Sequence, residues 1–346
     1  MAEDKKVTPI SVLGEFGLIN RLTSGFEPVQ PSTLKGVGDD AAVIDSLGKK
    51  TVVSTDLLVE GIHFDLVYTP LKHLGYKSVV VNISDIYAMN AEPQQITVSL
   101  ALSSRFTVEA LEELYAGIKL ACQHYKVDLI GGDTTSSQSG LVISVTAIGV
   151  ANEEELVYRS GAKEGNLICV TGDLGAAYLG LQILEREKRI YLEHPDLQPE
   201  LEDADYLIGR QLKPEARKDA IAYFKEMGIK PTAMMDLSDG LSSDIMHICT
   251  QSGVGCQILE GEVPLAEETY NMALKFNLDP ITCALNGGED YELLFTIDSE
   301  DETKLSGDQT FSVIGQITKK EDGYILITKS NNKHPLKAQG WNHFKG

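Results

Sequence analysis

The chain is poor in positive charge. Thirty Lys and Arg residues stand against 51 Asp and Glu, a formal net charge of −21. Such a balance leaves no basic footprint for nucleic acid or for an anionic bilayer, and excludes both as partners. An anionic substrate must then be met by metal ions or by a local basic pocket. Cysteine is scarce as well: five residues, at 122, 169, 249, 256 and 283, with no C-x-x-C pair. That excludes a disulfide framework and predicts reduced core thiols in a cytoplasmic protein. No stretch approaches ~18 uninterrupted apolar residues, so no membrane-spanning helix is expected. The opening MAEDKKVTPISVLGEFGLINRL has no apolar core and does not read as a secretory signal.

Familiar catalytic signatures are missing too. GKKT (48–51) has neither the spacing nor the Lys-Ser/Thr pair of a P-loop. GVGDDA (36–41) imitates a dinucleotide fingerprint, but an apolar strand follows where a helix is required. H-R-D, D-F-G, G-x-S-x-G and H-E-x-x-H do not occur, and the seven histidines form no ligand cluster. VTGDLG (170–175) is a strand-to-helix turn, read first as a plain helix start.

What remains is an ordinary globular composition, 42% hydrophobic and 23% charged, long enough at 346 residues for about two domains. The best cut falls at the acidic turn ANEEEL, giving domains 1–155 and 156–346. Ile10, Leu13, Phe16, Ile19 and Leu22 space a short amphipathic helix. TVVSTD (51–56) reads as a buried strand with a polar tip. Residues 75–91 read as helix, 94–102 as strand and 108–125 as an amphipathic helix. VDLIGGDTT and LVISVTAIGV read as strands. In the second half, 166–184 reads as strand, glycine turn and helix. The charged stretch 185–215 reads as a linker-like insert, 213–228 as helix and 313–327 as a terminal hairpin. The mixture predicts an α/β fold.

Carboxylates carry the chemical message. They recur at the polar ends of apolar runs in GVGDDAAVI, VSTDLLVEGIHF, NISDIYA, IGGDTT, MDLSDG and NGGEDYEL. One such aspartate is ordinarily a helix cap or turn residue. Six dispersed segments instead suit Mg²⁺, which takes one or two carboxylates at a time and completes its shell with phosphate oxygens. Asp236, Asp239 and Asp244 fall within one apolar segment, AMMDLSDGLSSDIMHI, where unpartnered aspartate is rare.

In order along the chain, GEFGLI, GDDAAVI, STDLLVEGIHF, NISDIYAMNAEP, GGDTT, YRSGAKEGN, VTGDLG, MDLSDGLSSDI, NGGEDYEL and GWNHF resemble the motifs of the thiamine-monophosphate kinases. These belong to the superfamily of aminoimidazole ribonucleotide synthetase. The resemblance implies two α/β (α+β) domains, each a mixed sheet packed with helices. The first would bind ATP and magnesium and pair in a homodimer; the second would complete the nucleotide and substrate site. It implies transfer of the γ-phosphoryl group of ATP to thiamine monophosphate, directly and assisted by several Mg²⁺ ions, with no residue nucleophile. Implied metal ligands are Asp40 (preferred to Asp39 on its distance to STD), Ser54, Thr55, Asp56, Asp85, Asp133, Asp236 and Asp239. ATP contacts fall on Tyr115, Gly132, Asp133, Arg159 and Ser238, and substrate contacts on His63, Glu289 and Trp341. Thr134 and Thr135 receive no fixed role, and Asp244 is expected to be helix-facing or solvated. The competing expectations are another ATP-using member of the superfamily, such as aminoimidazole ribonucleotide synthetase, or a non-catalytic nucleotide-binding homologue.

Overall fold

The structure is a computed structural model that describes residues 8, 18, 21–35, 43–201, 203–305 and 310–338. Asp39, Asp40 and Trp341 lie outside the described residues, as do most of the positions expected in the first amphipathic helix. The chain divides into two compact units. One comprises residues 1–86 and 91–153, the other 87–90 and 154–346.

The first unit contains β1 (Thr33–Lys35), β2 (Val43–Ile44), β3 (Lys50–Val59), α1 (Leu71–Ala88), β4 (Glu92–Leu102), α2 (Val108–Tyr125), β5 (Asp128–Ser136) and β6 (Leu141–Ala151). Its main sheet runs β3-β6-β4-β5, antiparallel except for β4 and β5. The parallel pair is joined through α2, because parallel neighbours need a crossover longer than a hairpin. Thr107 caps α2, its Oγ1 accepting the Ala110 amide at 3.3 Å, and Lys126 closes the helix in the left-handed region at φ 58°. Residues 74–84 of α1 are all buried.

The expectation for TVVSTD is corrected here. β3 is an edge strand of the sheet, and its alternate residues face outward, Val53 at 60% and Leu57 at 53% exposure. A short apolar run does not reveal whether both of its faces are covered.

The second unit contains β7 (Leu167–Thr171), α3 (Ala176–Glu193), α4 (Asp205–Leu212), α5 (Lys218–Met227), β8 (Ala233–Asp236), α6 (Leu241–Ser252), β9 (Gly255–Leu259), α7 (Glu267–Lys275), α8 (Pro280–Asn286), β10 (Leu293–Ile297), α9 (Glu302–Leu305), β11 (Phe311–Thr318), β12 (Tyr324–Ile327) and β13 (Lys333–Pro335). Its seven-stranded sheet has the order β13-β12-β9-β11-β7-β10-β8. Apolar residues fill both sides. Leu294, Met235 and Val170 join Ile245 and Ile248 of α6, while Phe295, Met234 and Cys169 join Phe224 of α5. All five cysteines are buried free thiols. No described helix is long and apolar enough to cross a membrane.

Three expectations change in this unit. Residues 185–215 are not a linker-like insert: α3 continues to Glu193, and α4 follows with Leu207 fully buried. Most charged side chains of the stretch are exposed or half-buried, whereas Glu187 is buried and Arg210 turns inward to Glu292. The helix expected over 213–228 begins only at Lys218. The expected 313–327 hairpin does not form either. β9 lies between β11 and β12, antiparallel to the first and parallel to the second, and β12 makes its hairpin with β13. Alternation reports strand character and says nothing of which strand comes between two neighbours in sequence.

Candidate active site

In the first unit, strand alternation sorts the STD triplet. Val53, Thr55 and Leu57 are exposed, whereas Ser54 and Asp56 are partly buried on the other face. Ser54 Oγ donates to Asp85 Oδ2 at 2.5 Å, and the Asp56 amide donates to Asn82 Oδ1 at 2.9 Å. Asn82 and Asp85 are three residues apart on α1, so one helix face receives both. Burial, and then the neighbouring Asp85 carboxylate, push the Asp56 carboxyl up to about 6. A divalent cation bound beside this pair reverses that penalty. Ser54, Asp56 and Asp85 are therefore brought together.

Thr55 is not among them. Its Oγ1 donates to the Val145 carbonyl at 3.0 Å and accepts from Thr146 Oγ1 at 3.1 Å. Asp133 is exposed on β5, and register aligns it with Ser99, Ser144 and Leu57, the outward row next to that of Asp56. It stands three strands from β3, on the opposite face from the Asp56–Asp85 pair. Gly132 has a packing reason to be glycine, since a Cβ there would lie 1.8 Å from the Val98 carbonyl oxygen. Tyr115 is buried on α2, edge-on to Phe26 at 6.4 Å, and burial pushes its phenol up to about 12. His63 is partly buried after β3; its Nδ1 accepts the Val59 amide at 3.0 Å, which leaves the proton on Nε2.

In the second unit, MDLSDG and NGGEDYEL meet. Asp236 ends β8, opposite Leu293 of β10, and is buried. The pairing continues past the strand ends: Leu237 N–H to Glu292 O at 2.8 Å, Tyr291 N–H to Leu237 O at 2.9 Å, and Glu289 N–H to Ser238 O at 2.8 Å. Gly288, at φ 71°, lies so close that a Cβ would be 2.6 Å from the Ser238 carbonyl oxygen. The backbone thus holds Ser238, Asp239 and Glu289 side by side. Arg159 is exposed, beside β8: the Met234 amide donates to the Tyr158 carbonyl at 3.0 Å.

Of the two expectations for Asp244, helix-facing or solvated, burial overturns the solvated one. The residue is fully buried in the first turn of α6, where its Oδ2 accepts the Asp239 amide at 3.3 Å and its Oδ1 has no hydrogen-bond partner. Burial, and then Asp236 and Asp239, push its carboxyl up to about 8. Sequence cannot show this, because the neighbours that enclose Asp244 come from the fold.

The motifs also hold two acids that the resemblance does not single out. Buried Asp290 accepts the Gly175 amide at 2.8 Å and the Ala177 amide at 3.4 Å, which makes VTGDLG an ordinary helix start. Buried Glu292 accepts from Thr171 Oγ1 at 2.5 Å, Arg210 Nη1 at 2.8 Å and Arg217 Nη1 at 2.6 Å. Their signal was the acid density of EDYE; of the partner cations, Arg210 lies in the stretch read as an insert and Arg217 just before α5. Among the described residues, no three His, Cys, Asp or Glu side chains form a metal cage.

Residues 38–151 match the family profile of AIR synthase related protein, N-terminal domain, and residues 163–327 match the C-terminal domain of the same family. Carboxylate-bearing α/β units of this kind define the class, and the chain belongs to the AIR synthase related family. Within it, the similarity is to thiamine-monophosphate kinases. The enzyme of Aquifex aeolicus (strain VF5) is 36% identical over 332 residues, covering 96% of this chain and 98% of that protein. That of Bacillus subtilis (strain 168) is 33% identical over 341 residues, covering 96% and 100%. A solved structure of AaThiL complexed with AMPPCP and TMP superposes with a TM-score of 0.74 at 34% identity, covering 96% of this chain and 98% of that one.

Proposed function

We propose that the protein is a kinase that transfers the γ-phosphoryl group of ATP to thiamine monophosphate, yielding thiamine diphosphate and ADP. The observation that carries this is end-to-end similarity to thiamine-monophosphate kinases, one of them seen with AMPPCP and TMP together. The acceptor is a phosphate and already an anion at neutral pH, so no strong base or residue nucleophile is required. ATP is the co-substrate.

The donor set fits Mg²⁺. Hydroxyl and carboxylate oxygens gather in small groups, Ser54 with Asp56 and Asp85, and Asp236 near Asp239, as suits an ion that keeps most of its shell for phosphate and water. Bound Mg²⁺ supplies charge neutralisation at the β- and γ-phosphates. Asp40, Thr55 and Asp133 complete the proposed ligands. Tyr115, Gly132, Asp133, Arg159 and Ser238 are assigned to ATP, and His63, Glu289 and Trp341 to the substrate. Trp341 presents a flat aromatic face suited to the cationic thiazolium ring.

The working form is proposed to be a homodimer located in the cytoplasm. Asp56 and Asp133 are three strands apart, about 14 Å at ordinary strand spacing, and on opposite faces. One copy of the sheet does not bring both to one phosphate chain. The exposed Val53 and Leu57 on the outward face of β3 give a second copy an apolar strip to cover. The test is chromatographic assay of thiamine diphosphate from ATP and thiamine monophosphate, with unphosphorylated thiamine as the control acceptor. Product from the monophosphate alone supports the reading; no product from it contradicts the reading.

A further inference from the structure

The backbone of Glu289 is fixed by the MDLSDG turn, but its side chain is held by another element. Glu289 sits in the left-handed region at φ 58°, its amide on the Ser238 carbonyl. From there its carboxylate reaches α4. Gln211 Nε2 donates to Glu289 Oε2 at 2.7 Å, and Gln211 is only 4% exposed. A carboxylate only accepts, so it is the amide NH₂ that faces it. Arg210, the adjacent residue, ties the same helix to the same loop: Nη1 to Glu292 Oε1 at 2.8 Å and Nη2 to the Asp290 carbonyl at 3.3 Å. Arg210 thereby sets the distance between α4 and the loop, which leaves Gln211 little freedom to miss its acceptor.

We propose that Gln211 is a positioning residue for substrate binding, holding the Glu289 carboxylate in the rotamer that receives thiamine monophosphate. The inference rests on the reading that Glu289 touches that substrate. A glutamate side chain has three rotatable bonds, and their ordering opposes binding unless it is completed beforehand. A buried donor on one carboxylate oxygen completes it in the free protein. The arrangement also explains why a stretch with the charge pattern of an insert folds back as a helix: its inner residues are needed at the loop.

A double-mutant cycle in the full-length protein tests this, reading kcat, KM for each substrate and the melting temperature. Gln211→Ala should raise KM for thiamine monophosphate about tenfold, the weight of a hydrogen bond to a charged acceptor, with kcat and KM for ATP unmoved. Gln211→Glu keeps the shape but replaces the donor by a second carboxylate, and should raise that KM at least as far. It keeps the test valid if the alanine variant is poorly folded. On a Glu289→Ala background, Gln211→Ala should add nothing. Parental KM in Gln211→Glu, or effects of the two positions that multiply in full, overturns the role of Gln211 even when Glu289→Ala raises KM. Parental KM in Glu289→Ala instead overturns the assignment of Glu289, and the positioning role with it.

Discussion

Asp239 and Asp244 are five residues apart and are asked to do different things. Asp239 is partly exposed and assigned to metal; Asp244 is fully buried and accepts the Asp239 amide. Asp239→Asn should lower kcat by ~10²-fold with an unchanged melting temperature, as the loss of electrostatic stabilisation in the transition state does. Asp244→Ala removes an acceptor from the partly buried Asp239 amide and should cost about 1–3 kcal/mol of stability, read by denaturant unfolding. Loss of kcat at both positions with no loss of stability at either contradicts the division. Asp290 carries the pH prediction. Burial, opposed by Arg210 and the Gly175 amide, pushes its carboxyl from 3.8 up to about 7. A raised folded-state value means that the folded protein binds this proton more tightly, so stability is fully present below about 4 and is lost as pH rises toward 7. Melting curves should show the parent losing ground to Asp290→Asn across that window; a constant difference between the two contradicts it. At this scale the acids were legible in the sequence as residue types beside Gly, Ser and Thr. The implied ligand set kept Ser54, Thr55 and Asp56 together, whereas the alternation of β3 turns Thr55 to the other face. The burial of Asp290 and Glu292 was not legible, since their partners Arg210, Arg217 and the amides at the start of α3 are distant in sequence, and that of Asp244 follows from the packing of α6.

Elements with strong local signals were legible nearly to the residue. α2 spans 108–125 as its apolar spacing and the Thr107 cap require. The segment expected as helix over 75–91 is helix as far as Ala88, in an element that starts at Leu71, although its run of three valines also suits a strand. Failures occurred where an element depends on what lies next to it. β11 and β12 read as a hairpin because the turn between them is short and polar, yet both pair with β9. α4 read as linker because the stretch around it is charged and Pro-containing, and eight residues gain little from propensity alone. Packing supplies what propensity lacks: α4 crosses α3 at Gly180, where a Cβ would lie 2.1 Å from the Leu207 carbonyl oxygen. Gly180→Ala should therefore force the two helices apart and cost about 1–3 kcal/mol despite the better helix propensity of alanine. Urea unfolding reads the change, and a stabilised variant contradicts the contact.

At the scale of the whole molecule, a chain at −21 that handles two phosphorylated substrates must borrow positive charge. That deficit, more than any single motif, makes the acidic segments intelligible as metal ligands, and it was legible from composition. What composition could not supply is which carboxylates share a face, because that follows from strand register and helix packing. The most direct measurement is a single turnover with ATP labelled on the γ-phosphate, enzyme in excess, and thiamine monophosphate, with and without excess chelator. The account predicts that label passes into thiamine diphosphate with no labelled protein formed on the way, that chelator abolishes the transfer, and that added Mg²⁺ restores it. Label that appears first on the protein and then leaves with substrate, or transfer undiminished in chelator, would contradict it.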